Sequence, residues 1–585
     1  AASAVSAHEE PVIARSRPRV GTTDDGPDDT AAGVATDFAP ADPAEPASPG
    51  PSMSKSEATA TASAGRSRNT LIFSALTAFS RVAGLLREVL STRFYGTDGA
   101  ISAFTLAFQI PNLLRSLFAD AALSAAFVPV FSDLLQQGRR KDAMKLAAEL
   151  AWVALLALSA ITAVSILLCP VVVPLFAGDS KLSSADIDLA VTLTQIMFPV
   201  VALLGINGLL VGILNAEDHF TIPALSPVVW NVLIMAFMVV THVTMDGADE
   251  VYGYAVGVLV GTIAQLLLAV PMVHKAGFRW GRPRLSGARD PQVRQVLTLM
   301  IPVALGLGLV NFNLLINSTL GAKISAGAIR AIDAAFRLYM LPQGIFSVAI
   351  ATVLFPVLSR AAARRDYDDL RAIIGDGMRQ ILVLLIPAAA VTIALAAPII
   401  RLIYEGGKFT PESTALTTDA LWVFSLTLPL NGLNLLLTRT FFALKEPWTT
   451  TKIAVISLVV NVIVSVALWK PLGVGGIVAG TVVANIAVVG AQLHVLRGRL
   501  GGSLGLGRTV ATGARVLAAA GVLTLVVLAV DAAVRGVIGG SSIGLIISLA
   551  LSLGLGGVVY VMALRALHVE EAIRLERALR ARLGR

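Results

Sequence analysis

Residues 150–176, LAWVALLALSAITAVSILLCPVVVPLF, form an apolar run that contains no charged side chain. A helix of this length exceeds the roughly 20 residues needed to cross the hydrocarbon core of a bilayer. Similar stretches follow one another closely from residue 69 to residue 566. The sequence therefore predicts an all-α, polytopic membrane protein.

The composition of the whole chain agrees with this prediction. Apolar residues make up 55% of the 585 residues and charged residues 14%, whereas a soluble protein carries about 25% charged residues. The single cysteine, Cys169, excludes a disulfide framework. The six histidines lack the spacing of a metal site, so we expect no metal and no cofactor. The net charge of +8 fits basic cytoplasmic loops better than nucleic-acid binding.

Hydrophobic segments predict fourteen transmembrane helices. The predicted spans are residues 70–93, 101–132, 146–176, 187–215, 222–243, 251–273, 295–320, 333–358, 380–404, 415–442, 452–470, 473–495, 511–531 and 541–564. Their connections alternate between basic segments, such as those containing Arg139 and Arg140 or Arg364 and Arg365, and segments poor in positive charge, such as TMDGADE. Because cytoplasmic loops are enriched in Lys and Arg, this alternation predicts that both termini lie in the cytoplasm.

Two short motifs recur at a similar offset and suggest a duplicated architecture. ALSAAFVPVFS (Ala122–Ser132) resembles AIATVLFPVLS (Ala349–Ser359), and SPVVWNV (Ser226–Val232) resembles SLVVNV (Ser457–Val462). Paired halves around a central site are typical of transporters. We predict a disordered cytoplasmic tail at 1–68, an N-lobe of six helices at 69–275, a C-lobe of six helices at 276–500, two extra helices at 501–566 and a basic amphipathic cytoplasmic tail at 567–585.

Four arginines lie within the predicted spans: Arg81, Arg87, Arg115 and Arg337. An arginine at the centre of a membrane helix costs about 2.5–3.5 kcal/mol, so it is usually retained for a partner or a ligand. Snorkelling to an interface, or pairing with a nearby acid, is the simpler alternative. Guanidinium groups bind phosphate bidentately and stay charged at any pH. Four of them therefore favour an anionic, phosphorylated substrate. Supporting residues could be Glu88, Ser102, Asn112, Asp120 and Arg439.

Several segments in register resemble the MurJ (MviN) family of lipid II flippases. They are SRVAGLLREVLSTRFYG, AFTLAFQIPNLLRSLFADAALSAAFVPVFSD, FRLYMLPQGIFSVAIATVLFPVLSR, IIRLIYEGGKFTPEST and TRTFFALKEPWTTTK. The resemblance covers about residues 69–500. It implies the multidrug/oligosaccharidyl-lipid/polysaccharide exporter fold, with two lobes around a cationic cavity and two final helices that form a groove for a polyprenyl tail.

The family's cavity arginines fall on Arg81, Arg87, Arg115 and Arg337, the residues already selected by their cost. Three family carboxylates differ here. Glu88 stands where Asp is common, while Ser102 and Phe336 stand where the family often carries an acid. The acidic ligands of the family's sodium site are not evident in this sequence.

The resemblance predicts a transporter, not an enzyme, in the bacterial cytoplasmic membrane. Its expected function is the movement of lipid II, an undecaprenyl-diphosphate-linked sugar–peptide, from the inner to the outer leaflet by alternating access. Membrane lipids and the cell-wall synthesis machinery are expected partners. A flippase for another polyprenyl-diphosphate glycan would use the same arginines. A drug or cation exporter would need cavity carboxylates, and a membrane glycosyltransferase would need acidic or histidine residues on a sizeable outer loop.

Overall fold

The computed structural model of the chain describes residues 55–97, 99–118, 121–217, 219–281 and 289–573. The chain divides into two units, Ala1–Ser63 and Ala64–Arg585. In the first unit the described residues, 55–63, are helical. The remainder of the predicted N-terminal tail up to residue 54 lies outside the described residues, as do residues 574–585 of the predicted C-terminal tail.

The described residues are almost entirely helical and contain no β-strand. The helices are α1 (Lys55–Tyr95), α2 (Ala100–Phe118), α3 (Ala121–Gln136), α4 (Arg140–Ala177), α5 (Ser184–Met197), α6 (Pro199–Ala216), α7 (Thr221–Thr244), a 3₁₀ helix (Gly247–Val251), α8 (Tyr252–Lys275), α9 (Pro291–Ile324), α10 (Ala328–Arg364), α11 (Tyr367–Ala394), α12 (Ala396–Ile403), α13 (Pro411–Leu426), α14 (Leu428–Ala443), α15 (Pro447–Leu500), α16 (Leu506–Ile538) and α17 (Ser542–Ala566).

These helices confirm the predicted polytopic, all-α fold. Nine helical segments of the described residues are long and apolar enough to cross a membrane, and two bent segments raise the number to eleven. Helix α15 counts once in that total, although Gly473 (φ +57°) interrupts it where two spans were predicted to meet. The first two predicted spans fall on α1, α2 and α3, outside that set. The count of fourteen therefore stays a prediction.

Several predicted spans are broken helices rather than straight rods. The span predicted at 187–215 consists of α5 and α6, with Pro199 as the first residue of α6. The span predicted at 415–442 consists of α13 and α14, which meet at Thr427 with a bend of 45°. Proline lacks the backbone N–H that a continuous helix needs, so a helix often restarts there. Sequence periodicity does not show such breaks.

Helices α7 and α8 pack closely against each other through glycines. Gly253, Gly257 and Gly261 are four residues apart and therefore lie on one face of α8. A Cβ added at Gly257 would lie 3.0 Å from the Cα of Ile234, and one added at Gly261 would lie 2.9 Å from the Trp230 ring. Small residues at this spacing let two helix backbones approach closely within a membrane.

The buried side chains form clusters within and between the two halves of the helix order. Helices α1–α8 are called the first half below, and α9–α15 the second half. Helix α9 packs against α2 and α3 of the first half as well as against α10 and α15. Helices α16 and α17 pack against each other and against α11. Many outward-facing side chains are apolar, such as Leu167 (78% exposed), which suits a surface in contact with lipid.

The α7–α8 contact yields a stability prediction. Replacing Gly257 by Leu forces a side chain against the backbone of Ile234, and overpacking of this kind costs about 1–3 kcal/mol. We expect a lower thermal unfolding midpoint for the purified Gly257→Leu variant in detergent. Gly521→Leu in α16 is the matched control, because a Cβ there meets no atom within 4 Å. Equal unfolding midpoints for both variants would contradict the assignment.

Candidate functional site

A buried ion-pair network connects α1 to α10. The Glu88 carboxylate of α1 forms ion pairs with Arg330 Nη2 at 2.6 Å and with Arg337 Nε at 3.1 Å. Asp333 contacts Arg330 Nη1 and Arg337 Nε, each at 2.9 Å. Arg330 Nη2 also donates to Ser91 Oγ of α1 at 3.1 Å. These five residues are called the central network.

The central network follows from helical spacing. Positions 330, 333 and 337 are three and four residues apart, so their side chains lie on one face of α10. Ser91 lies three residues after Glu88, which places both on one face of α1. Burial is uneven: the side chains of Arg330 and Glu88 are 1% and 2% exposed, whereas that of Arg337 is 33% exposed. The network is therefore sealed on the Arg330 side and open on the Arg337 side.

Arg87 lies beside this network but uses different partners. Its residue is 7% exposed, and its guanidinium carbon lies 4.9 Å from the centre of the Trp230 ring of α7. Its Nε atom is buried without a hydrogen-bond partner among the described residues. Arg87 also interacts electrostatically with Asp333. The Trp230 ring thus attracts the Arg87 cation, while the buried Nε of Arg87 is left without an acceptor among the described residues.

Arg81 continues the contact between α1 and α10. A Cβ added at Gly344 would lie 3.3 Å from Arg81 Nη1. Arg81 precedes Glu88 by seven residues, and Gly344 follows Arg337 by seven residues. Helices α1 and α10 are therefore antiparallel in this region, and Arg81 lies two turns along α1 from the Glu88–Arg337 pair.

Arg115 is held separately, against α9. Asn112 Oδ1 accepts from Arg115 Nη2 at 2.7 Å, and Asn112 Nδ2 donates to Asn311 Oδ1 of α9 at 2.7 Å. Asn112 thus supports Arg115 directly, as one of the predicted supporting residues. Asp120, another of them, lies outside the described residues.

The other two predicted supporting residues, Ser102 and Arg439, have partners outside the central network. Ser102 is fully buried and donates to the backbone carbonyl of Thr97 at 2.7 Å, so its hydroxyl serves the start of α2. Arg439 of α14 lies with its guanidinium carbon 5.4 Å from the centre of the Phe355 ring. Asn461, one of the polar residues on the later spans, donates to Thr481 within α15 at 3.1 Å.

Arg330 was not among the site residues predicted from the sequence. The eighth span was predicted to begin at residue 333, which placed Arg330 in an aqueous loop. Helix α10 begins earlier, at Ala328, and buries Arg330 completely. The signal was present in the sequence, because Arg330, Asp333 and Arg337 follow a helical spacing in an otherwise apolar segment.

A second polar cluster closes one end of the bundle. Glu250, between α7 and α8, pairs with Lys408 Nζ at 2.9 Å and with His242 Nδ1 at 2.8 Å. Lys408 belongs to the segment between α12 and α13, and its backbone N–H donates to the carbonyl of Arg93 at 2.9 Å. The Thr97 and Ser413 hydroxyls are hydrogen-bonded at 2.7 Å. We call these contacts the Glu250 closure.

Glycine allows the backbones to meet at the Glu250 closure. Gly96 ends α1 with φ +69°, a conformation that favours glycine. A Cβ there would lie 2.5 Å from the carbonyl oxygen of Lys408. The end of α1 and the second-half segment EGGKF therefore lie in direct backbone contact, and the two halves are joined at this end.

The central network is neutral, because the two positive charges of Arg330 and Arg337 match the two negative charges of Glu88 and Asp333. Arg87 beside it adds one positive charge, so the site as a whole is positive. Arg337 approaches the acids most closely through Nε, and its Nη atoms form no hydrogen bond in the described part of the chain. The open edge of Arg337 can therefore grip an anionic oxygen group.

Comparisons with known proteins agree with this architecture. A family model described as "Lipid II flippase MurJ" matches residues 92–548. A relative from Rhizobium meliloti (strain 1021), "Probable lipid II flippase MurJ", is 33% identical over 417 residues, which cover 69% of this chain and 76% of the relative.

Solved structures show the same fold. A structure entitled "Lipid II flippase MurJ, inward closed conformation" superimposes with a TM-score of 0.71 at 23% identity, covering 85% of this chain and 99% of that chain. An inward-facing multidrug resistance MATE family transporter of the MOP superfamily gives a TM-score of 0.62 at 14% identity, covering 74% and 98%. The prediction of a transporter rather than an enzyme is confirmed. By the extent of the family match and of the shared sequence, the chain belongs to the MurJ family of lipid II flippases.

Proposed function

We propose that this protein moves lipid II from the inner to the outer leaflet of the bacterial cytoplasmic membrane by alternating access. The observation that carries the proposal is the open guanidinium edge of Arg337, which is held by the buried Glu88 and the partly buried Asp333 beside Arg87. In this proposal the diphosphate binds Arg337, Arg87 and Arg115, and Arg81 assists. The sugar–peptide headgroup crosses through the cavity while the prenyl tail stays in lipid.

The charge of the site favours a phosphorylated substrate over a cation. Arginine presents a planar fork that matches phosphate oxygens and keeps its charge at any physiological pH. A cation exporter of the same fold would need an unpaired carboxylate, whereas Glu88 and Asp333 are each paired with two arginines. A flippase for another polyprenyl-diphosphate glycan shares this charge logic, so the choice of glycan has to be tested by transport.

The proposed orientation places the Glu250 closure on the outer side of the membrane. The opposite end of the bundle carries basic connections, including Arg139 and Arg140 before α4 and Arg364 and Arg365 after α10. Because cytoplasmic loops are rich in Lys and Arg, we place that end, together with both termini, in the cytoplasm. Closure at the outer end then corresponds to a state that receives substrate from the inner leaflet.

The proposed division of labour assigns residues 69–275 and 276–500 to two lobes that rock about the central network. Helices α16 and α17, which pack on α11, form the groove for the polyprenyl tail. The membrane potential supplies a driving force, since one charge moving through 100 mV is worth about 2.3 kcal/mol. An inside-negative potential favours outward movement of the anionic substrate and inward return of the empty cationic cavity. Association with the cell-wall synthesis machinery remains a prediction.

The arginine assignment is tested in cells depleted of their own flippase. We expect Arg87→Ala, Arg115→Ala and Arg337→Ala each to cause accumulation of precursor in the inner leaflet, followed by lysis, because each removes a phosphate ligand. Arg401→Ala is the control, since Arg401 is 49% exposed and pairs only loosely with Glu405 at 3.6 Å. Normal growth of a triple variant that lacks all three arginines would refute the proposal.

The driving force is tested in sealed vesicles that contain the purified protein and lipid II. Imposing an inside-negative potential of 100 mV should shift the transbilayer distribution of lipid II outward by up to about 50-fold per net charge moved, from about 2.3 kcal/mol. Vesicles without protein are the control. A distribution that ignores the imposed potential would show that another energy source drives transport.

The Glu250 closure is tested by a reversible cross-link. The Thr97 and Ser413 hydroxyl oxygens are 2.7 Å apart, so cysteine sulfurs at these two positions would need to approach by less than about 1 Å to reach the disulfide bond length of about 2.05 Å. Cys169 is the only native cysteine. We expect oxidised T97C/S413C protein to stop transporting and to recover on reduction, whereas each single variant transports under both conditions. Undiminished transport by cross-linked protein would contradict the closure's role in alternating access.

A further inference from the structure

Arg330 lies on the sealed side of the central network and has no role in the proposed binding of the diphosphate. We propose that Arg330 is a positioning residue that pairs with both Glu88 and Asp333 and cancels one of their two negative charges, and thereby keeps the open edge of Arg337 free for the diphosphate. This inference rests on the proposed function, because it explains how the site remains competent to bind an anion.

Arg330 and Arg337 contact the two acids through different nitrogen atoms. Arg330 uses both of its terminal nitrogens on the network, Nη2 on Glu88 Oε1 at 2.6 Å and Nη1 on Asp333 Oδ2 at 2.9 Å. Arg337 approaches the same two carboxylates most closely with Nε, at 3.1 Å and 2.9 Å, and its hydrogen bond to Asp333 also comes from Nε. Arg330 therefore holds the acids with both terminal nitrogens, whereas those of Arg337 form no hydrogen bond in the described part of the chain.

The shared acceptor makes the two arginines interdependent. Asp333 Oδ2 accepts from both Arg330 Nη1 and Arg337 Nε. Without Arg330, the ion pairs that remain for Glu88 and Asp333 in the described part of the chain would both go to Arg337, with Arg87 interacting with Asp333 at longer range. Buried carboxylates require a charged partner. The Arg337 fork is the nearest unused donor, so it would turn toward the acids and away from the substrate.

The exposure of the side chains fits this division. Arg330 is 1% exposed and cannot reach a ligand, whereas Arg337 is 33% exposed. Arg330 also donates to Ser91 Oγ at 3.1 Å, which fixes its guanidinium plane against α1. Arg330 thus supplies one buried positive charge to the acids, and Arg337 supplies the other at the open side.

The test measures binding of a polyprenyl diphosphate to the purified full-length protein in lipid nanodiscs, by native mass spectrometry. We expect Arg330→Gln to weaken binding by about tenfold or more, although Arg330 does not touch the ligand. Adding Glu88→Gln to that variant removes the excess negative charge and should restore binding to within about threefold of the wild type. Arg330→Lys keeps the charge and should also stay within about threefold.

Arg379→Gln is the matched control. Arg379 is 6% exposed and pairs with Glu571 at 2.5 Å and with Asp376, so its loss breaks a similar buried ion pair on α11, away from the central network. We expect it to leave diphosphate binding unchanged even where it lowers thermal stability.

The outcomes separate this inference from the proposed function. Wild-type affinity in both Arg330→Gln and Arg337→Gln would refute the proposed function. Loss of binding in Arg337→Gln with normal binding in Arg330→Gln would refute the positioning role alone. Failure of Glu88→Gln to restore binding to Arg330→Gln would show that Arg330 only holds the helices together, and would also overturn the inference. If Arg330→Gln does not fold, the Arg330→Lys variant decides: a loss as large as that of Arg337→Gln contradicts charge balance.

Discussion

A charged side chain within a membrane-spanning bundle has to be paired or solvated, and this constraint organises the structure around α1 and α10. Glu88 alone would be an expensive residue in an apolar helix, as would Arg330. Each is acceptable because the other lies opposite it across the helix contact. A buried pair of this kind contributes little net stability, but loss of one partner leaves an uncompensated charge, so the pair specifies which helix faces meet. The pair therefore fixes how α1 of the first half packs against α10 of the second half.

The Glu250 closure uses the same kind of ion pair in a different setting, and the difference in exposure matters. Lys408 is 50% exposed, whereas Glu250 is 7% exposed. Because ion pairs that face water are weaker than pairs sealed from it, this contact can break and form again within a transport cycle more easily than the pair of Arg330 with Glu88. The central network, with Arg330 and Glu88 buried, is not expected to exchange its partners so readily. A permanent junction beside the proposed binding site and a weak contact at one end are what a rocking movement of two halves requires.

Much of this architecture could be predicted from the sequence, because hydrophobic run length is a strong signal in membrane proteins. The runs predicted the helices, and the cost of buried arginine selected Arg87 and Arg337, which lie beside and within the central network. The breaks at Phe198 and Thr427 were not predicted, because a broken helix and a straight one have the same hydropathy. Pro199 and Pro429, which follow these breaks, were the signal in the sequence. Arg330 was missed for a related reason: hydropathy ends a span at the first charges, whereas the helix continues as long as those charges find partners. Pairing partners are a property of the tertiary structure.

The similarity of this fold to multidrug transporters sharpens the question of what decides the substrate, because a shared fold does not imply a shared function. In this protein we expect the charge of the substrate to be determined by the charges of the site that remain after internal ion pairing. Glu88 and Asp333 could in principle attract a cation, yet Arg330 and Arg337 occupy both of them. The one positive charge left over comes from Arg87 beside the network, and the exposed edge of Arg337 is where we propose that an anion binds. Removing Arg330 would cancel that excess, so the net charge of the proposed site depends on a side chain that no ligand would touch.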